Sequence, residues 1–164
     1  MSSSLTIVLP RRIIRACEAE ARALFPLETG GAFMGRHGPR GEFVVEHMIG
    51  PGANADHRRA SFAPDADWQW AEMRRLHEAH GGDLAFLGDW HTHPRSSSGA
   101  LSRMDLRAVG EILHDPQTRA RSIISVVFAG GRIVWVPRAW VATHATDGAE
   151  ESVVISRGVI VDDR

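Results

Sequence analysis

The sequence predicts a single domain of the α/β (α+β-like) class, in which helices flank a mixed β-sheet. The chain has 164 residues, 43% of them hydrophobic, which suits one domain with a real core. Segments with helical periodicity alternate along the chain with short apolar runs that are typical of strands. A glycine pair between two such runs, Gly130 and Gly131, indicates an antiparallel hairpin.

The N-terminal part of the chain predicts one helix and two strands. Apolar side chains recur at helical spacing over residues 11–25, and they follow Pro10, a residue favoured at helix starts. The apolar run at residues 32–34 predicts a buried strand. A turn at residues 37–41 then leads to a second strand at residues 42–49, which is rich in β-branched and aromatic side chains.

The middle of the chain predicts a helix followed by a central strand. Tryptophan, methionine and leucine are distributed as on a helix over residues 65–80, and Asp65 or Asp67 is expected to cap it. A glycine pair stops this helix. Residues 84–93 are rich in apolar and aromatic side chains, which predicts a central strand that ends at the following proline.

The C-terminal part predicts one more helix and several short strands. Over residues 102–114 the apolar side chains fall on one helical face. A loop is expected at residues 147–151. Strands are predicted at residues 123–128, 133–137, 140–143 and 152–161.

Composition excludes some classes of protein. Lys and Arg number 19 against 20 Asp and Glu, so the formal charge of −1 gives no support for nucleic-acid binding. Cys17 is the only cysteine, which excludes an internal disulfide and a thiolate-rich metal site. A single free thiol is consistent with the reducing interior of a cell. The N-terminus lacks the pattern of a secretory signal, and no apolar stretch reaches the length of a membrane span. We therefore expect a cytoplasmic protein without membrane contact.

The chemistry is expected at the end of the central strand. Residues two apart on a strand point to the same face, so His91 and His93 can present both imidazoles to one point. Asp105 lies on the first turn of the next helix, where reversal of the chain can bring its carboxylate back as a third ligand. Two histidines and a carboxylate leave a fourth tetrahedral position open for water, as catalytic zinc requires.

Each half of this pattern has a simpler interpretation. Ser102 and Asp105 have the spacing of a capping box, in which the serine and the carboxylate satisfy backbone groups at a helix start. A His-X-His segment alone also occurs by chance. The two halves together favour a metal site.

The pattern resembles the signature of a known family. His-Thr-His-Pro at 91–94, a loop, and Ser-Arg-Met-Asp at 102–105 are similar to the motif of the JAB1/MPN/Mov34 (JAMM) metalloproteases. The resemblance extends over roughly residues 10–141 and is strongest to stand-alone bacterial members found beside ubiquitin-like transfer enzymes, including those of anti-phage operons. One departure is that seven residues, not the usual six, separate Pro94 from Ser102.

The resemblance implies a fold and a mechanism. The fold would be the cytidine-deaminase-like JAB/MPN fold, with a curved sheet, in one domain of residues 1–164 whose core is about 10–141 and whose C-terminal extension is 142–164. One zinc ion per chain would be held by His91, His93 and Asp105. Glu28 matches the position of the family's general base, and Ser102 would hydrogen-bond the oxyanion of the tetrahedral intermediate. From local sequence alone, Glu28 is a surface carboxylate.

The implied substrate is the C-terminal tail of a ubiquitin-like protein or its conjugate, cleaved at a peptide or isopeptide bond, with E1/E2-like operon products as possible partners. An extended tail could add a strand to a sheet edge. Two alternatives remain open: processing of a sulfur-carrier precursor or adduct, and a catalytically silent MPN-type scaffold. The scaffold is disfavoured because such modules generally lack the metal ligands. The sequence does not indicate an oligomeric state.

Overall fold

The computed structural model describes residues 5–147 and 150–162. Its helices are α1 (Arg11–Leu24), α2 (Ala66–Ala79) and α3 (Arg103–His114). Its strands are β1 (Leu5–Val8), β2 (Gly30–His37), β3 (Phe43–Ile49), β4 (Asp56–His57), β5 (Phe62–Ala63), β6 (Ala85–Pro94), β7 (Ser122–Gly130), β8 (Trp135–Asp147) and β9 (Glu150–Val161). In this described part, none of the helices combines the length and the apolar character that a membrane crossing needs.

Seven strands form one mixed sheet that closes on itself in the order β1-β3-β2-β6-β7-β8-β9. Parallel pairing of β1 with β9 completes the closure, and the pairs β1–β3 and β6–β7 are parallel as well. The strands β4 and β5 make a separate two-stranded antiparallel sheet. The predicted mixed α/β single domain, with helices flanking a sheet, is therefore confirmed.

Helices pack on both faces of the main sheet. On one face, α1 contributes Ile13, Cys17 and Ala21 to a core cluster that also holds Trp90 and Phe128. Burial raises the pKa of the Cys17 thiol, as expected for a small side chain on the apolar stripe of the helix. On the other face, side chains of α2 and α3 pack in two smaller clusters with residues of the main sheet. The candidate site lies on this second face.

A bulge in β6 determines which of its residues face α3. Gly88 has φ +149°, and a Cβ there would collide with the Ile124 carbonyl of the neighbouring strand, so only glycine fits. The register against β2 shifts at this point. Beyond the bulge, strand alternation puts Asp89, His91 and His93 on one face.

The three predicted helices are confirmed to within one or two residues, but parts of the strand prediction are wrong. The sheet extends β2 through His37, which was expected in a turn, because it pairs with β3 there. Ile133 and Val134 were expected in a strand but lie in the β7–β8 connection, 74% and 68% exposed. The sequence prediction also missed β1, β4 and β5.

The C-terminal prediction needs a further correction. The runs predicted at residues 133–137 and 140–143 belong, from Trp135 onward, to the single strand β8. The loop predicted at residues 147–151 is wrong at both ends, because pairing of β8 with β9 extends to the pair Asp147 and Glu150. Residues 148 and 149 of that loop lie outside the described residues, as do residues 1–4 and 163–164. The residues predicted as a C-terminal extension include β9, which is part of the main sheet.

Candidate metal centre

The three predicted ligands meet at the carboxyl end of β6. His91 and His93 project from the strand, and Asp105 reaches them from the first turn of α3. One ligand atom from each residue lies within 4.8 Å of the other two. Asp105 spans both rings: Oδ1 is 3.3 Å from His91 Nε2, and Oδ2 is 3.2 Å from His93 Nε2.

The hydrogen bonds of the two imidazoles leave both Nε2 atoms directed at this point. His91 Nδ1 donates to Asp89 Oδ2 at 3.0 Å, and His93 Nδ1 donates to the Ser98 carbonyl at 3.3 Å. A neutral imidazole that donates from Nδ1 keeps its lone pair on Nε2. His91 Nε2 is buried without a hydrogen-bond partner in the described part of the chain. This donor set of two imidazole nitrogens and a carboxylate fits a transition-metal ion.

The ionisation of the cluster shows how strongly its charges interact. Burial lowers the pKa of His91, but the adjacent carboxylates of Asp105 and Asp89 outweigh this effect and raise the pKa to about 10. Burial raises the pKa of Asp105, but the adjacent imidazoles of His91 and His93 hold it well below its usual range. The carboxylate therefore stays ionised and attracts positive charge. A divalent cation at this point would compensate the negative charge of Asp105, as a proton on His91 does.

Ser102 and Asp105 do form the capping box that their spacing predicts. Ser102 N–H donates to Asp105 Oδ2 at 2.7 Å, and Asp105 N–H donates to Ser102 Oγ at 3.1 Å. The cap fixes the rotamer of Asp105 toward the histidines, so one arrangement serves both the helix start and the cluster. The extra residue in the preceding loop does not separate Ser102 from Asp105.

Glu28 precedes β2 and opens on the same cavity as the three ligands. Burial raises the pKa of its carboxyl group, and the nearby histidines His93 and His91 partly counteract this effect. The surface-carboxylate interpretation of Glu28 therefore fails, because the chain places it half-buried beside the cluster. Whether Glu28 and Ser102 take part in catalysis remains a prediction.

Thr92, the central residue of the His-X-His segment, joins Thr29, the residue after Glu28, to β6 by hydrogen bonds. Its side chain points away from the histidines and is fully buried. Thr29 N–H donates to Thr92 Oγ1 at 2.9 Å, and Thr92 N–H donates to the Thr29 carbonyl at 2.9 Å. The same short segment thus supplies two ligands on one face and anchors the start of β2 on the other.

The cavity has a volume of about 920 Å³ and runs from the cluster between α2 and α3. Its polar end holds Glu28, Ser102 and the three ligands. Most of the remaining lining is apolar and includes Trp70, Met73, Phe86, Met104, Val109 and Ile112, although polar residues such as Arg59, Gln69 and Gln117 also contribute. A polar reactive end joined to a long apolar groove is suited to an extended polypeptide rather than to a small polar ligand.

Two residues of this site were not identified by the sequence analysis. Asp89 lies two residues before His91, so the alternation that pairs the histidines also predicts a third polar side chain on that face. His57 was not among the predicted site residues, but its Nδ1 donates to the Glu28 carbonyl at 2.9 Å. No local pattern around His57 indicates this contact, because it joins residues 29 positions apart.

Comparisons with known proteins agree with this geometry. Residues 10–149 match the family described as prokaryotic homologs of the JAB domain. The chain is 36% identical over 135 residues to "Probable metalloprotease y4qB" of Sinorhizobium fredii (strain NBRC 101917 / NGR234), an alignment that covers 82% of each chain. It also shares its fold with the solution structure of protein DSY2949 from Desulfitobacterium hafniense, with a TM-score of 0.66, 19% identity, and coverage of 96% and 94% of the two chains. The chain belongs to the prokaryotic JAB-domain family, and its site is of the metalloprotease type.

Proposed function

We propose that the protein is a zinc-dependent peptidase or isopeptidase that cleaves at the C-terminal tail of a ubiquitin-like protein or its conjugate. The observation that carries the proposal is the position of Glu28: a half-buried carboxyl group with a raised pKa faces the same cavity as the His-His-Asp cluster. Metal ligands alone would fit a structural metal site. A nearby basic group that is not needed as a ligand fits hydrolysis.

In this proposal His91, His93 and Asp105 hold one zinc ion per chain, because catalytic zinc sites use three protein ligands of these types. When bound, zinc lowers the pKa of a water molecule and polarises a carbonyl group. Asp89 and the Ser98 carbonyl keep the two imidazoles in the tautomer that ligation needs, since each accepts a hydrogen bond from an Nδ1–H group.

Glu28 accepts a proton from the attacking water and later transfers it to the leaving amine. A raised pKa suits both steps, because the group is then a stronger base and a more useful acid near neutral pH. Ser102 donates a hydrogen bond to the oxyanion. Its Oγ accepts from the helix N–H in the capping box, which uses a lone pair and leaves the hydroxyl proton available.

The substrate is bound as an extended chain in the apolar groove. The main sheet is closed, so within the described part of the chain it presents no edge to which a substrate strand can pair. The short strand β5 does have an outer edge, and its Phe62 lines the groove. Pairing of the tail with β5 would direct its terminal residues toward Glu28. E1/E2-like enzymes would then act on the same substrate and are proposed as functional partners.

The test is cleavage of a panel of ubiquitin-like fusions and sulfur-carrier precursors, with and without chelator. We expect chelator-sensitive cleavage of at least one ubiquitin-like fusion. The variant Glu28→Gln should keep the metal but lose cleavage, whereas Glu78→Gln, on the exposed side of α2, should cleave as the wild type does. Cleavage restricted to sulfur-carrier precursors would replace the proposed substrate. Cleavage that survives both metal removal and Glu28→Gln would refute the mechanism.

A further inference from the structure

The backbone of Glu28 is held on both sides by the segment that contains β4. Glu28 N–H donates to the Arg58 carbonyl at 2.7 Å, and His57 Nδ1 lies 2.9 Å from the Glu28 carbonyl oxygen. A carbonyl oxygen only accepts, so Nδ1 of His57 carries the proton and donates. Consecutive residues of one segment thus satisfy both polar backbone groups of Glu28.

The side chain of Glu28 has no comparable support. Within residues 5–147 and 150–162, no group donates a hydrogen bond to its carboxylate. Glu28 also lies outside β2, because the ladder to β6 begins at Gly30 and the contacts of Thr92 are made with Thr29. The direction of the carboxylate therefore depends on how firmly the Glu28 backbone is held by residues 57 and 58.

His57 is itself fixed by the small β4–β5 sheet. It is paired with Phe62 across that sheet, and the two rings lie 5.4 Å apart at an angle of 30°. Arg58 N–H donates to the Ser61 carbonyl at 3.0 Å and closes the turn. The imidazole is therefore held in place as a donor rather than being a mobile surface side chain.

We propose that His57 is a positioning residue for Glu28. Its Nδ1–H donates to the Glu28 carbonyl and so orients the proposed general base toward the metal ligands. His57 is absent from the lining of the groove. It should therefore affect kcat without changing KM or metal content. The inference rests on the proposed role of Glu28 as a base.

Amide side chains provide a matched set of variants. The nitrogen of an asparagine side chain is as many bonds from Cα as Nδ1 of histidine, whereas the glutamine nitrogen is one bond farther out. His57→Asn can restore the donor at the Nδ1 position, and His57→Gln cannot do so in the same place. His57→Phe keeps a ring beside Phe62 but removes the donor. His77→Phe is the control, because His77 Nδ1 makes the same kind of contact with the Leu84 carbonyl, at 2.7 Å, on another part of the fold.

We expect His57→Phe and His57→Gln to lower kcat about 10- to 100-fold, the range expected when a reactive group is misplaced by about 1 Å. KM and zinc content should stay at the wild-type values, and His57→Asn should recover most of the loss. His77→Phe should keep the wild-type kcat. Wild-type kcat in His57→Phe, together with an inactive Glu28→Gln, would overturn the inference while leaving the proposed function intact.

Amide exchange tests the hydrogen bond between His57 and the Glu28 carbonyl without any substrate. The Glu28 amide donates to the Arg58 carbonyl, and His57 bonds the carbonyl of the same residue. In His57→Phe this amide should exchange about 2- to 10-fold faster than in the wild type, because loss of one ordinary hydrogen bond at the carbonyl makes local opening of the Glu28 backbone easier by that amount. His77→Phe should leave the exchange unchanged. The nitrogen chemical shifts of His57 should also show the Nδ1–H tautomer. If the wild type cleaves none of the substrates, these two measurements still test the positioning role of His57. Unchanged exchange of the Glu28 amide in His57→Phe, or an Nε2–H tautomer of His57, would refute it.

Discussion

Replacement of Asp89 should weaken metal binding although Asp89 is not itself a ligand. Its Oδ2 accepts a hydrogen bond from His91 Nδ1 at 3.0 Å, and its side chain is only 25% exposed. A negative acceptor behind the ring makes Nε2 more electron-rich and fixes its direction. In Asp89→Asn the amide oxygen can still accept from Nδ1, but without the charge. In Asp89→Ala the proton has no acceptor on that side chain.

The size of each effect follows from the type of hydrogen bond. A bond to a charged group contributes about 1.5–3 kcal/mol and a neutral one about 0.5–1.5 kcal/mol. Asp89→Asn should then lose about 1 to 1.5 kcal/mol, or about 5- to 12-fold in metal affinity. Asp89→Ala should lose the whole bond and bind about 10- to 150-fold more weakly. Competition titration against a chelator of known affinity measures both. The control is Asp83→Asn, since this 71% exposed carboxylate pairs with Arg36 instead. Wild-type affinity in Asp89→Ala would refute the reasoning.

Three further predictions concern pH, metal removal and the anchor behind the site. Because burial raises the pKa of Glu28, the acid limb of the kcat/KM profile should lie at a higher pH than the pKa of an ordinary glutamate, and activity should rise as pH rises through this limb. An acid limb at the pKa of an ordinary glutamate contradicts the role of Glu28 as the base. In metal-stripped protein, folding raises the pKa of His91 from 6.5 to about 10. The contribution of protonated His91 to stability should therefore be complete below pH 6.5 and lost as pH rises through 10, which thermal unfolding measures. A Tm that does not change between pH 6.5 and 10 contradicts this prediction. Thr92→Val should lower the free energy of unfolding by about 1–3 kcal/mol, since it leaves the buried Thr29 N–H unpaired, whereas Thr92→Ser should lower it less; denaturant titration distinguishes the two.

Helices were predictable because their signals are local. Asp65, one of the two caps that the sequence predicted, accepts from Trp68 N–H, and α2 begins at the next residue. The first strand was not predictable in the same way. β1 has four residues, and its stability comes from pairing with β3 and β9, which are distant in sequence. Strands this short carry too little periodicity to be distinguished from a loop.

The residues of the site also differ in whether a local sequence signal or a long-range contact places them. His91 and His93 could be found from their spacing on one strand, and Asp105 from the helix start that follows. Glu28 could not be found from local physics, because its burial and its pKa shift come from residues brought in by the fold. His57 is a stronger case, since its contact with Glu28 depends on a small sheet of two-residue strands that no pattern predicts.

The capping box and the catalytic role of Ser102 can be separated, although one hydroxyl would serve both. Glycine at an N-cap costs only a few tenths of a kcal/mol relative to serine, so Ser102→Gly should leave stability and the Ser102 N–H bond to Asp105 nearly unchanged. Loss of an oxyanion donor, in contrast, should lower kcat about 100- to 1,000-fold. Denaturant titration, metal content and kcat measured on the same variant distinguish the two roles. Retention of kcat would reduce Ser102 to a helix cap, and a parallel loss of metal would mean that it acts by placing Asp105.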